Sequence, residues 1–200
     1  ESGIFGQGWL STYEMSCKDY NNDPELNLKI VTIPGENSYL FALDNGIYTS
    51  GMTRMTLTAK VNGTFELATT DDIIYTFNSN GYLISINDIY NNLITIDVNK
   101  NAKIQKITDS VGREYTYNYK NDLLYSITDP ASRAVRYEYT DNRMLRKVVN
   151  PLGTSRNLYT YDENMNLTAI TDMFDNVIQK IEYDNSSDMV SKIIDANNNE

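Results

Sequence analysis

The residues of this chain with types and spacing suited to chemistry are carboxylates and aromatics. Asp88, Asp109, Asp129, Asp172 and Asp195 recur at near-constant intervals. If the segments between them stack, their side chains form a ladder, and oxygen-rich repeat turns can hold Ca²⁺. The competing reading is that each Asp caps a turn through side-chain-to-backbone hydrogen bonds. The glycine-rich calcium repeat is absent, so the turn reading is favoured and no metal or other cofactor is expected. Asp71 and Asp72 are adjacent, but neighbours in a strand point to opposite faces, so they read as a solvated turn. A carboxylate glycosidase needs two carboxyls about 5–10 Å apart in a cleft, and no spacing singles out such a pair. Trp9 and the 16 Tyr could stack on sugar rings. Against that, aromatic cross-strand pairs are a main source of sheet stability.

Other chemistry is excluded by composition. The chain has no His and one Cys, Cys17. That removes Ser-His-Asp and Cys-His nucleophiles, an internal disulfide and a cysteine-based zinc site. Cys17 reads as a small, semi-buried apolar residue. No catalytic residue is assigned, and the chain is not expected to be an enzyme. The formal charge of −10 argues against nucleic acid and against an anionic membrane surface. No apolar run approaches the ~20 residues of a spanning helix. Residues 1–10 (ESGIFGQGWL) lack the basic and apolar regions of a signal peptide.

The elements that position these residues are set by an internal repeat. YTYDENMNLTAITD (159–172) aligns without a gap on YTFNSNGYLISIND (75–88). In the same frame an anchor falls at Phe77, Val98, Tyr119, Tyr139, Tyr161 and Tyr183, spaced 20 to 22 residues apart. The closing position holds Asp88, Asp109, Asp129, Asn150, Asp172 and Asp195. Five residues before it lie Leu83, Ile104, Leu124, Leu145, Leu167 and Val190. Two before it lie Ile86, Ile107, Ile127, Val148, Ile170 and Ile193. Such self-similarity marks a repeat architecture.

Each unit reads as two short strands and two turns. Residues 113–119 (REYTYNY) alternate aromatic and polar, as does VRYEY at 135–139, which is the pattern of half-buried strands. The tracts after each anchor (NSNG, NKNA, KND, TDNR, DENMN) have turn chemistry. DSVG, DPAS and NPLG, with Pro130 second and Gly153 fourth, have the residue preferences of type I turns. No window carries a helical stripe, so the fold class is all-β. The two aliphatic positions are three apart, which puts them on opposite faces of a regular strand. Either a bulge intervenes or the strand is covered on both faces.

Residues 75–200 thus hold six repeats. Residues 1–74 form an irregular β lead-in continuous with the same sheet, with strand-like runs at 26–33, 38–43, 52–61 and 64–69. Asp-Asn-Gly and Val-Asn-Gly between such runs are hairpin signals.

These residues resemble the RHS/YD-repeat family of bacterial proteins. Its pattern is Tyr-Asp, a short Gly/Asn turn, an aliphatic stretch, then Asp-Pro-x-Gly and a returning strand. Tyr161-Asp162 with Leu167, Ile170 and Asp172 matches it, as does Tyr183-Asp184 with Ile193 and Asp195. Asp129-Pro130 and Asn150-Pro151-Leu152-Gly153 match the second turn, whereas Phe77-Asn78 departs from Tyr-Asp. FGQGW at 5–9 is similar to the FGxGW segment that precedes the array in family members. The resemblance implies a spiralling antiparallel sheet forming part of a hollow β-shell, with the chain a fragment near the start of the array. It implies a scaffold whose partners are the remaining repeats and a C-terminal toxin effector. It also implies secretion or display at a bacterial cell surface, with the export signal outside this fragment. The alternative is a surface carbohydrate-binding or adhesion module using exposed Tyr and Trp9. An excised array with open strand edges is expected to self-associate edge to edge. The sequons at Asn62, Asn166 and Asn185 carry little weight in a bacterial protein.

Overall fold

The structure is a computed structural model. It describes all residues except Glu1, Asn185, Ser186, Asp188 and Glu200, and of Ser2, Ser155 and Arg156 only the backbone. The Asn185-Ser186-Ser187 sequon therefore lies outside the described residues.

The chain is all-β. Its strands are β1 (Ser2–Gly3), β2 (Gly6–Gln7), β3 (Ser16–Asp19), β4 (Leu28–Thr32), β5 (Ser38–Asp44), β6 (Ile47–Thr49), β7 (Thr56–Ala59), β8 (Phe65–Ala68), β9 (Ile74–Phe77) and β10 (Leu83–Asn87). They continue as β11 (Leu93–Val98), β12 (Ile104–Thr108), β13 (Glu114–Lys120), β14 (Leu123–Thr128), β15 (Ala134–Tyr139), β16 (Leu145–Val149), β17 (Ser155–Tyr161), β18 (Leu167–Thr171), β19 (Val177–Tyr183) and β20 (Val190–Asp195). The chain divides into two compact units. One is Leu10–Tyr117; the other combines Glu1–Trp9 with Asn118–Glu200.

In Leu10–Tyr117 successive strands pair antiparallel from β3 to β12. The sheet curls until the turn after β9 meets β3. Cys17 donates its amide to Gly81 O at 2.9 Å, and Ser16 bridges Tyr82. A Cβ on Gly81 (φ +77) would run into the Cys17 carbonyl oxygen, so only glycine allows this approach. The curl encloses Cys17, Val31, Phe41, Leu57, Leu67, Phe77 and Leu83, none more than 2% exposed. One sits on each of seven strands between more exposed sequence neighbours, as alternation on a one-sided sheet requires.

In the other unit β14 to β20 also pair in sequence. β1 and β2 form a small hairpin of their own.

Both units show how the repeat reconciles aliphatic positions three apart. The register shifts between Leu83 and Ser85 opposite Phe77 and Thr76, and the same shift follows Ile104, Leu145, Leu167 and Val190. A β-bulge at these five outgoing strands returns the second aliphatic residue to the face of the first. Of the two alternatives left by the sequence, the bulge is the one used.

Repeat length has equally local causes. The usual turn spans five residues, closed by an i+3 amide to the i carbonyl, with the i+3 residue left-handed: Gly112 (φ 82), Ser132 (φ 61), Arg143 (φ 65), Gly153 (φ 82), Met165 (φ 67). This is a type I turn followed by an αL residue. Between β13 and β14 the turn is only Asn121-Asp122, both at positive φ, a type I′ hairpin. That missing residue makes the Tyr119–Tyr139 interval the shortest. In the two longest intervals the returning strand holds an extra residue, absorbed where Val148/Val149 and Ile170/Thr171 shift register.

Candidate functional site

The recurring aspartates act on their own turns. Asp129 Oδ1 accepts the amides of Ala131 and Arg133, each at 2.9 Å, while Oδ2 accepts the Arg133 guanidinium Nε at 2.7 Å. Asp88, Asp172 and Asp195 repeat the pattern with Asn92, Asn176 and Asn199, and Asp109 with Arg113. Asn150 Oδ1 does the same toward Leu152 and Thr154. At the opposite turns Asn78, Asn99 and Asp162 bind their own i+2 and i+4 amides, and Asp184 Oδ1 accepts Ser187 Oγ. Pro130 occupies the second turn position and Gly153 the left-handed one. The donated hydrogen bonds hold Asp88, Asp109, Asp129, Asp172 and Asp195 below the ordinary carboxylate value. Among the described residues no three His, Cys, Asp or Glu converge on a metal position. Asp72 sits at φ 57 in a turn that its amide closes onto Thr69 O.

The anchors do something the sequence does not disclose. Tyr139 Oη donates to Leu124 O at 2.8 Å, Tyr161 Oη to Leu145 O at 2.6 Å, and Tyr183 Oη to Leu167 O at 2.9 Å. Each acceptor is the first of the two recurring aliphatic repeat positions, on the preceding strand. It lies two residues beyond the nearest cross-strand pair, as Leu145 lies beyond Lys147↔Leu158. The strands have diverged there, and the tyrosine side chain closes the hydrogen-bond ladder across the gap. Burial raises the hydroxyl pKa of all three, Tyr139 most. Phe77 and Val98 hold the same register without a hydroxyl, Phe77 fully buried and Val98 partly so. Tyr119 lies in β13 on the half-buried face that it shares with Tyr115 and Tyr117, opposite exposed Glu114, Thr116 and Asn118.

A second set of contacts converges on this tyrosine face from residues 4–9. Ile4 is buried and its carbonyl accepts the Leu124 amide at 3.0 Å. The Phe5 ring meets Tyr137 at 5.1 Å. Trp9 packs edge-on against Tyr159 at 4.9 Å and donates its indole N–H to Tyr161 Oη at 2.9 Å. Trp9, read from sequence as a glycan-stacking candidate, therefore has its polar edge and one ring contact engaged inside the fold. Nothing in local periodicity announces contacts 152 residues apart. The signal available was compositional: two aromatics spaced by glycines in an otherwise glycine-poor chain.

Besides a concavity of about 390 Å³ lined by Thr140, Met144, Arg146, Tyr159, Tyr161 and Met165, two others indent the described residues. One of about 530 Å³ lies between the turns at 120–123 and 140–144, lined by Lys120, Tyr125, Tyr137, Glu138, Arg143 and Arg146. Within it Arg143 donates to Asn121 O and Arg146 pairs with Glu138, so its charges are largely self-compensated. The other, about 280 Å³, lies in Leu10–Tyr117 beside Cys17. There Lys29 pairs with Asp19 at 2.6 Å over the Phe65 ring. Burial pushes the Cys17 thiol up to about 12, which leaves it protonated and a poor nucleophile at neutral pH.

No family model matches the chain, and no curated protein matches it. Among solved structures it is similar to a chain in a crystal structure of TcdB2-TccC3-Cdc42, with 13% identity and a TM-score of 0.42. The likeness covers 78% of this chain and 11% of that one, so this chain spans a small part of the length of the protein it matches. In repeat register and turn chemistry the chain resembles RHS/YD-repeat proteins.

Proposed function

We propose that this chain is scaffold: a stretch of RHS/YD-type β-shell that encloses or presents a C-terminal toxin in a secreted or surface-displayed bacterial protein, with no catalysis of its own. The observation that supports this reading is the use made of the repeated side chains. The tyrosine hydroxyls bind the preceding strand, the aspartates bind their own turns, and the aliphatic residues pack. A binding or catalytic site would instead be local, with polar groups pointed at an empty space. The test is protease protection of the C-terminal region in the parent protein. Enclosure is expected to keep that region uncut while the array is intact, and Tyr139→Phe with Tyr161→Phe to expose it. A C-terminal region cut at the same rate in both proteins would overturn the reading.

A further inference from the structure

Residues 1–9 are compact with Asn118–Glu200 although all of Leu10–Tyr117 lies between them in the chain. Apart from the bonds within their own hairpin, the contacts that fix them run to residues after 118. The hairpin β1–β2 puts Ile4 and Phe5 at its tip, against Leu124 and Tyr137. Gly6, at φ +92, lies so close to the Arg143 carbonyl oxygen that a Cβ could not be accommodated. Trp9 ends the segment on Tyr159 and Tyr161.

The receiving face therefore has a specificity of its own. The Leu124 amide takes a backbone carbonyl, the Arg143 carbonyl admits only glycine, Tyr137 and Tyr159 take aromatic rings, and the Tyr161 hydroxyl takes an indole N–H. All of these groups belong to Asn118–Glu200, and all of the matching groups lie within six residues, Ile4 to Trp9. Covalent linkage supplies a high effective concentration but no contact.

We propose that this tyrosine face is a receptor site for an aromatic–glycine peptide, filled here by the chain's own residues 4–9 and open to the same segment of a second copy. Exchange of such a segment between identical chains is a low-cost route to assembly, and the contact is heterologous: segment on one copy, face on the other.

The chain's single tryptophan is in the segment, which makes the test specific. An intact chain carrying Gly6→Ala and Trp9→Phe has a weakened segment and no tryptophan. The synthetic peptide SGIFGQGWL, residues 2–10, is titrated into it, reading tryptophan emission and anisotropy. Saturable binding with a blue shift is expected, with at least tenfold weaker binding for the Gly6→Ala peptide. The wild-type chain, whose site is filled, is expected to bind at least tenfold more weakly, followed by anisotropy of a dye-labelled peptide. Absence of binding to the double variant, or equal binding to the wild-type chain, overturns the proposal. As a second arm, a chain lacking residues 1–9 is mixed with a full-length chain carrying Tyr137→Ala and Tyr159→Ala, and the mixture is sedimented. A one-to-one complex supports the second copy as occupant. Monomers alone, with both chains retaining their β-sheet circular dichroism, overturn that assignment.

Discussion

Leu83 and Val190 occupy the same place in the repeat and opposite environments. Leu83, in Leu10–Tyr117, is 1% exposed and Val190, in β20, is 51% exposed. The contrast runs through both units. In the first, a curled sheet folds a row of aliphatic and aromatic residues onto itself. In the second, Leu124 and Leu145 are buried at 0% and 3%, Leu167 is partly exposed, and Val177, Ile178, Val190 and Ile193 are open. Burial in that unit is deepest near the contacts of residues 4–9 and fades beyond them. A repeat position is thus apolar because of its register, and buried only if something lies over it. Nearest-neighbour stacking is the general property of repeat proteins that produces this gradient.

The contrast can be broken most directly by truncation at that shared position. Leu83→Ala is expected to cost about 2–5 kcal/mol in denaturant unfolding, as for other fully buried leucines. Val190→Ala is expected to stay below about 1 kcal/mol. Equal costs would mean that Val190 is covered in solution. Next in size is the tyrosine ladder, which has no counterpart at Phe77 and Val98. Tyr161→Phe is expected to cost about 1–2 kcal/mol, because it also strands the Leu145 carbonyl and the Trp9 indole N–H. The readout is the same unfolding curve together with a red shift of Trp9 emission, and an unshifted spectrum would detach Trp9 from the ladder. Smaller again is Ser132→Gly. It relieves a left-handed conformation that L side chains resist and is expected to gain up to about 1 kcal/mol in melting experiments.

Acid and alkaline titrations give the mildest effects and act on different groups. The turn aspartates have folded values below their unfolded ones, so they contribute stability above the ordinary value of 3.8. That contribution is lost as pH falls through the folded values. The buried tyrosines are raised above 10, so they contribute fully below pH 10, and the contribution is lost as pH climbs through the folded values. Alkaline melting temperatures are expected to fall less in a chain carrying Tyr139→Phe, Tyr161→Phe and Tyr183→Phe. An identical alkaline fall would remove the ladder as its source.

Much of this was legible in the residues. Alternation in REYTYNY gave the strands, Asn and Asp tracts gave the turns, and the recurrence of Tyr161, Leu167, Ile170 and Asp172 gave the frame. These are signals carried by residues a few positions apart. The curl of Leu10–Tyr117 was not legible, because it depends on Gly81 meeting Cys17, a pairing with no local periodicity. The destination of the tyrosine hydroxyls was hidden for a different reason: it depends on how far two strands have splayed, which side-chain identity does not encode. The bulge lay between. Its necessity followed from aliphatic positions three apart, while the choice between a bulge and a two-sided core required coordinates.

The bulges and turns also bear on how such a sequence can change. In an ordinary sheet, inserting one residue into a strand reverses every side chain beyond it, and selection removes the variant. Here the outgoing strands that begin at Leu83, Ile104, Leu145, Leu167 and Val190 already carry a register break, and repeats of three lengths keep the same anchor-to-strand register. Single-residue insertions and deletions at these positions become nearly silent events. The array can then drift in length and sequence while its architecture holds, leaving descendants whose kinship survives in register long after it has faded from identity.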